Sequence, residues 1–346
     1  MKLVSFSRNG HERLGLYHEG QVLDLEQAAD YDDLKMASNM AKFLRKLDKY
    51  EDNARLIHGK FIEGKYKKGI YGLNEIQLLS PVPKPTSCRD GYAFRQHVEA
   101  ARRNRGVEMI KEFDEYPIFY FTNHNAVMGP GEIPVMKDHL EKLDFELEVA
   151  AVIGKRGRNI PAEEADEYIF GYTIMNDMSA RTLQMEEMLL NLGPAKGKDF
   201  STVLGPWLVT RDELAPYRIS AKDGHIGERY DLKMKCWVNE KQVSEGNTGD
   251  MDWTFAEIVE RCAYGADILP GDVIGSGTVG TGCFLELNGT GLRLNPEFKP
   301  QWLQTGDTVT MEITGLGRLE NTIVKEGDFS ILDKKKRVSQ ILKENG

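Results

Sequence analysis

The chain has 346 residues, 40% hydrophobic and 29% charged, with a formal net charge of −9. That length is enough for one large domain or two with a real core, and the composition is ordinary for a globular protein. The acidic balance argues against a surface built for nucleic acid or an anionic membrane, and no window approaches the roughly 18 apolar residues of a membrane span.

The opening MKLVSFSRNG has no basic region followed by an apolar run, so no secretory signal is expected. Short strands are predicted over residues 1–24, at KLVSFS, RLGLYHE and QVLDL. A helical pattern follows over 33–58, where Leu34, Met36, Met40, Phe43, Leu44 and Leu47 recur near a 3.6-residue period. LLSPVPKPTS then carries three prolines, which cannot donate to a ladder. This extended linker sets a boundary near 78–86. It divides a small N-terminal α+β domain (1–80) from a second unit (85–330) and a C-terminal tail (331–346).

The second unit reads as strands at 117–121, 145–153, 168–175, 206–210, 231–238, 272–276, 307–313 and 318–325. Helices are expected only at 93–104, 179–191, 254–264 and in the tail. Without regular alternation of strand and helix, the fold class is mainly β (α+β), not a doubly wound parallel sheet. No G-x-G-x-x-G follows a strand, so no dinucleotide is expected.

The cysteines, Cys88, Cys236, Cys262 and Cys283, form no C-x-x-C pair and no zinc or disulfide spacing. A reducing, cytoplasmic setting is the simplest expectation. The basic runs ARRNRG (101–106) and DKKKR (333–337) read as solvated helix faces. The first lacks the interleaved aromatics of a nucleic-acid grip.

The chemistry is expected at DFELEVAAVIG, residues 144–154. Asp144, Glu146 and Glu148 alternate with apolar residues and so share one face of a strand. The apolar continuation reads as a strand buried on both faces. Buried carboxylates need neutralising. A hard divalent cation would do this, and so would nearby Arg or Lys. In GYTIMNDMSARTLQ (171–184) a strand runs into a helix. Asp177 sits at the strand end, and Arg181 and Gln184 share a helix face. An acid beside an arginine and an amide suits a charged ligand.

DFELEVAAVIG, GYTIMNDMSARTLQ and GKDFSTVLGPW (197–207) occur here in the order and spacing of a known set. Over residues 80 to 325 the chain resembles the fumarylacetoacetate hydrolase superfamily, with motifs nearest the fumarylacetoacetase branch. The resemblance implies a C-terminal β-roll and one divalent metal ion (Mg, Mn or Ca), held by Asp90, Glu146, Glu148 and Asp177. From RDGYAFRQHVEAARRNRG (89–106) and GSGTVGTGCFLEL (275–287) it implies a base, His97, oriented by Glu286. Arg181, Gln184 and Lys198 complete the catalytic set. Tyr92, Arg102, Arg105 and Thr278 would bind substrate, with one of Arg102, Arg103 or Arg105 on a distal carboxylate. Met188 and Gly106 stand where the hydrolase has a tyrosine and an arginine.

The implied function is hydrolysis of the carbon–carbon bond of a small β-diketo acid. The substrate nearest the motifs is 4-fumarylacetoacetate, which gives fumarate and acetoacetate in tyrosine catabolism. The alternatives are an acylpyruvate hydrolase, or a hydratase, isomerase or decarboxylase of 2-oxo-alkenoic diacids. A homodimer is also implied, with neither nucleic acid nor membrane as partner.

Overall fold

A computed structural model describes residues 1–334 of the chain. Two open sheets form its frame. The larger has twelve strands. From its middle to one edge run Thr202–Thr210, Ile169–Asp177, Leu147–Ile153, Val273–Gly275, Cys88–Gly91 and Phe119–Thr122. The second sheet has five strands, in the order Lys241–Asn247, Lys233–Val238, Thr308–Ile313, Gly317–Gly327 and Gly131–Met136. All eight strands expected beyond the linker are present, with ends shifted by a few residues. Strand-rich α+β architecture is what the sequence implied.

Every residue of Leu147–Ile153 is buried, and the strand's two faces enter different cores. Val149, Ala151 and Ile153 pack with Met234, Met311 and Ile323 of the five-stranded sheet. Ala150 and Val152 belong to a second cluster with Met40, Phe43, Ala54 and Ile57 of the N-terminal helices. Helices on one face and a sheet on the other explain the apolar run.

The N-terminal strands extend this same large sheet. Lys2–Arg8 pairs antiparallel with Thr202–Thr210, matching Leu3 to Leu208. Ser5 Oγ donates to the Pro81 carbonyl at 2.9 Å, which ties the proline segment to that strand. The periodic stretch over 33–58 forms two helices, Met40–Leu44 and Leu47–Ile62. The helix Phe284–Leu294 had no counterpart among the expected elements. The tail helix and most of the DKKKR run lie outside the described residues. No helix among the described residues is long and apolar enough to cross a membrane.

Gly171 sits at the irregularity where Ile169–Asp177 meets both neighbours. A Cβ there would lie 2.2 Å from the Val209 carbonyl oxygen. Backbone cannot yield as a flexible side chain does, so only glycine fits. Gly171→Ala should therefore lower unfolding free energy by about 1–3 kcal/mol. Urea denaturation followed by circular dichroism would measure the loss.

Candidate active site

Four acids meet at the centre of the large sheet. Asp90 lies in Cys88–Gly91, Glu148 in Leu147–Ile153, and Asp177 ends Ile169–Asp177. Glu146 precedes its strand and is fixed through its backbone, whose N–H donates to Asn176 Oδ1 at 3.1 Å. One carboxylate oxygen from each acid lies within 4.8 Å of all the others, and all four residues are buried. The strands come this close because Gly275 lies between them. A Cβ on Gly275 would sit 2.4 Å from Asp90 Oδ1 and 3.0 Å from Glu148 Oε2.

Two buried cations serve these acids. Lys198 Nζ is 2.5 Å from Glu146 Oε2 and 2.6 Å from Asp177 Oδ2. Arg181 NH2 is 2.7 Å from Glu146 Oε1 and 2.8 Å from Asp144 Oδ2. With Asp144, five carboxylates face two cations, a formal charge of −3 with every acid ionised. The titration of the acids follows from this shortfall. Burial and the Asp177 charge push the Asp90 carboxyl up to about 7. Burial and Asp90 push Glu148 well above the usual carboxylate range. Against its own burial, Lys198 and Arg181 hold Glu146 below that range.

A divalent ion fits this donor set. Four clustered carboxylate oxygens suit a hard cation. Asp177 Oδ1 is buried without a hydrogen-bond partner, and Asp90 and Glu148 have no cation of their own. They share the Gly277 N–H, at 3.0 and 3.1 Å, and are hydrogen-bonded to each other, a contact that needs a proton on one of them. The salt-bridge alternative also has a place, since Glu146 and Asp177 are paired through Lys198 and Arg181. Asp90 and Glu148 carry the case for the ion.

Beside the acids, His97 Nδ1 and Glu286 Oε2 are 2.6 Å apart. The other Glu286 oxygen accepts from the Thr281 N–H at 3.0 Å. His97 lies on the helix Arg95–Asn104 and Glu286 on Phe284–Leu294. Asn104 Nδ2 joins the two helices by donating to the Glu286 carbonyl at 3.1 Å. The Tyr92 ring meets the His97 ring edge-on, with centroids 6.0 Å apart.

These groups line one cavity of about 660 Å³, together with Arg105, Gln184 and Thr278. Arg181 NH1 donates to Gln184 Oε1 at 2.9 Å, which turns the Gln184 NH2 away as a free donor. Thr278 Oγ1 is 3.5 Å from Glu148 Oε1. Arg102 is placed elsewhere: its Nε donates to the Glu108 carbonyl, and it does not line the cavity.

Two further residues shape the corner. Tyr120 pairs across the sheet with Asp90, and its hydroxyl donates to Asp177 Oδ2. Nothing in FYFT alone marks it, because the assignment needs the register of two distant strands. Asp144 is fully buried and accepts from Arg181 Nε at 2.9 Å, Phe284 N–H at 2.7 Å and Leu285 N–H at 2.9 Å. It thus joins the acidic corner to the first turn of the helix bearing Glu286, where an anion also suits the helix dipole. The period-two alternation of the acids was its sequence signal.

Asp144→Ala should destabilise the protein by about 3–5 kcal/mol, the cost of removing one partner from a buried ion pair. It should also loosen the His97–Glu286 contact. Chemical denaturation and a structure of the variant would test both.

Residues 86–324 match the family model for the C-terminal domain of fumarylacetoacetate (FAA) hydrolase. Over 262 residues the chain is 32% identical to oxaloacetate tautomerase YisK of Bacillus subtilis (strain 168), covering 73% of this chain and 75% of that one. In fold it is similar to fumarylacetoacetate hydrolase from Exiguobacterium antarcticum, with a TM-score of 0.67, 23% identity, and coverage of 94% and 100%. It is likewise similar to maleylpyruvate hydrolase from Sphingobium sp. SYK-6, solved with manganese(II) and pyruvate. There the TM-score is 0.65, identity 21%, and coverage 94% and 99%.

Proposed function

The chain belongs to the fumarylacetoacetate (FAA) hydrolase family, and from that premise we propose that it hydrolyses the carbon–carbon bond of a β-diketo acid in a metal-dependent reaction. The observation that carries this reading is the buried His97–Glu286 pair at 2.6 Å, set in the wall of the cavity that Asp90 and Glu146 also line. Glu286 accepts the proton on Nδ1 and so presents the Nε2 lone pair as the base. An imidazole oriented in this way can take a proton from water as the oxygen attacks a carbonyl.

The new bond joins the water oxygen to the carbonyl carbon. The carbon–carbon bond then breaks, its electron pair passes to the oxo-acid half as an enolate, and His97 returns the proton to that carbon. Arg181 and Lys198 supply fixed positive charge beside the oxygens that become negative, and the Gln184 amide supplies a donor. A divalent ion held by Asp90, Glu146, Glu148 and Asp177 would polarise the substrate oxygens as a Lewis acid. 4-Fumarylacetoacetate, to which the sequence motifs point, is the reference diketo acid against which other acyl groups are to be assayed.

A second reading is a tautomerase or isomerase of a 2-oxo diacid. The 32% identity to oxaloacetate tautomerase YisK favours it. Product analysis separates the two, because hydrolysis makes two carboxylic acids and tautomerisation makes none.

His97→Ala should lower kcat by about 10²–10⁴, the usual loss with a positioned base, and leave Mg²⁺ affinity unchanged. Glu286→Gln should be milder, since the imidazole remains. Glu148→Ala should remove both metal binding and turnover. Loss of diketo-acid absorbance reads the rates and calorimetry reads the metal. Near-normal hydrolysis by His97→Ala would end the hydrolase reading.

A further inference from the structure

Beyond the acids and the His97–Glu286 pair, the cavity changes character. Its remaining wall includes Ile118, Phe119, Met185, Met188, Leu292 and Trp302. They come from three parts of the chain: the strand Phe119–Thr122 with its flank, the helix Arg181–Met188, and the helix Phe284–Leu294 with the loop after it. Several are large hydrophobics left open to solvent, with Ile118 at 55%, Met188 at 45% and Leu292 at 43% exposure. Other large hydrophobics, Leu189, Leu190 and Tyr264 among them, are exposed as well, but the wall residues share one hollow with the polar corner. Exposed apolar side chains converging from separate elements on one hollow mark a surface that something else covers.

We propose that this wall is the acyl-binding subsite, and that the substrate's acyl group is bulky and apolar, a longer alkyl or an aryl group, not a second carboxylate. The inference rests on the hydrolase reading. The wall is continuous with His97 and Glu146, so its occupant is part of the same molecule that reaches the base. At about 660 Å³ the cavity is in the range for a ligand well beyond a four-carbon acid.

A carboxylate laid against Ile118, Met188 and Leu292 would lose water without gaining a donor. Arg181 and Lys198 are engaged with acids. The other cations lining the cavity, Arg105 and Lys142, are solvent-exposed at its rim. Arg105 Nε is bonded to the Ala101 carbonyl at 3.1 Å. Hydrated rim charges attract an anion weakly, and their stems add apolar surface.

Two ligand series, both with Mg²⁺, test the subsite. In the first, kcat/KM is measured for acetyl-, butanoyl-, hexanoyl- and benzoylpyruvate and for fumarylacetoacetate. Each buried methylene should raise it about fourfold. Hexanoylpyruvate should then exceed acetylpyruvate by on the order of 10², and fumarylacetoacetate should trail it. In the second, calorimetry measures Kd for 2-oxobutanoate, 2-oxooctanoate, phenylpyruvate and 2-oxoadipate, which have no bond to hydrolyse. Affinity should rise with apolar length and fall for the diacid.

Leu292→Glu changes a partly exposed wall residue and should flatten both trends while Mg²⁺ affinity holds. A flat or reversed trend in binding overturns the inference, even if hydrolysis is observed. So does preference for fumarylacetoacetate, above all if Arg105→Ala abolishes it. If no acylpyruvate turns over but binding still tightens with apolar length, the hydrolase reading fails and the apolar subsite stands.

Discussion

The structure turns on a chain of alternating charges sealed inside the protein: Asp144, Arg181, Glu146, Lys198, Asp177. Each cation is shared by two acids, so neither can leave without exposing two buried carboxylates. Burying an unpaired charge costs several kcal/mol, and the chain therefore holds its members in register. It also leaves Asp90 and Glu148 without a cation of their own, a demand that a divalent ion would meet. Asp144 extends the constraint to the His97–Glu286 pair. By accepting from Phe284 and Leu285, it pins the first turn of the helix that carries Glu286. The acidic corner and the His97–Glu286 pair are thus one mechanical unit.

A sheet covered on both faces is the frame this unit needs. With helices on one side and a second sheet on the other, the central strands are dry along their length. Low polarity strengthens every ion pair at their ends. It also forces the unmatched acids to bind either a proton or a cation. The same seclusion surrounds His97, whose ring is held by Glu286 and flanked by Tyr92.

Much of this was legible because the key acids are local in sequence. Glu146 and Glu148 sit two apart in a strand, and Asp177, Arg181 and Gln184 span a single strand-to-helix turn. Periodicity alone marks such groups. Tyr120 was not legible, since its role depends on pairing with Asp90 across the sheet. Nor was the helix Phe284–Leu294, because Gly289 and Gly291 in its interior lower helix propensity. The structure shows why glycine stands at both positions. A Cβ on Gly289 would lie 2.6 Å from Asn104 Nδ2, and one on Gly291 would lie 2.7 Å from the Phe298 ring. The first is the close helix contact that brings Glu286 to His97. Among the arginines, helical spacing could not tell which one turns to the cavity, and the structure turns Arg105 there and Arg102 away.

Two chemistries meet in one cavity and are built from different parts of the chain. In the proposed reaction the polar corner would take the oxo-acid head. Its geometry is over-determined by shared ion pairs, so a change there disturbs several partners at once. The apolar wall is made of side chains such as Met185, Met188 and Leu292, which form no part of that network and face solvent when the cavity is empty. Under the proposed reading, substitution on the wall would alter which acyl group fits and leave the polar corner in place. The helices Arg181–Met188 and Phe284–Leu294 contribute to both parts: Arg181, Gln184 and Glu286 in their first turns belong to the polar side, and Met185, Met188 and Leu292 further along belong to the wall. Both helices begin in the corner and run outward along the wall. The polar corner and the apolar wall are consequently fixed relative to each other by two short rigid elements.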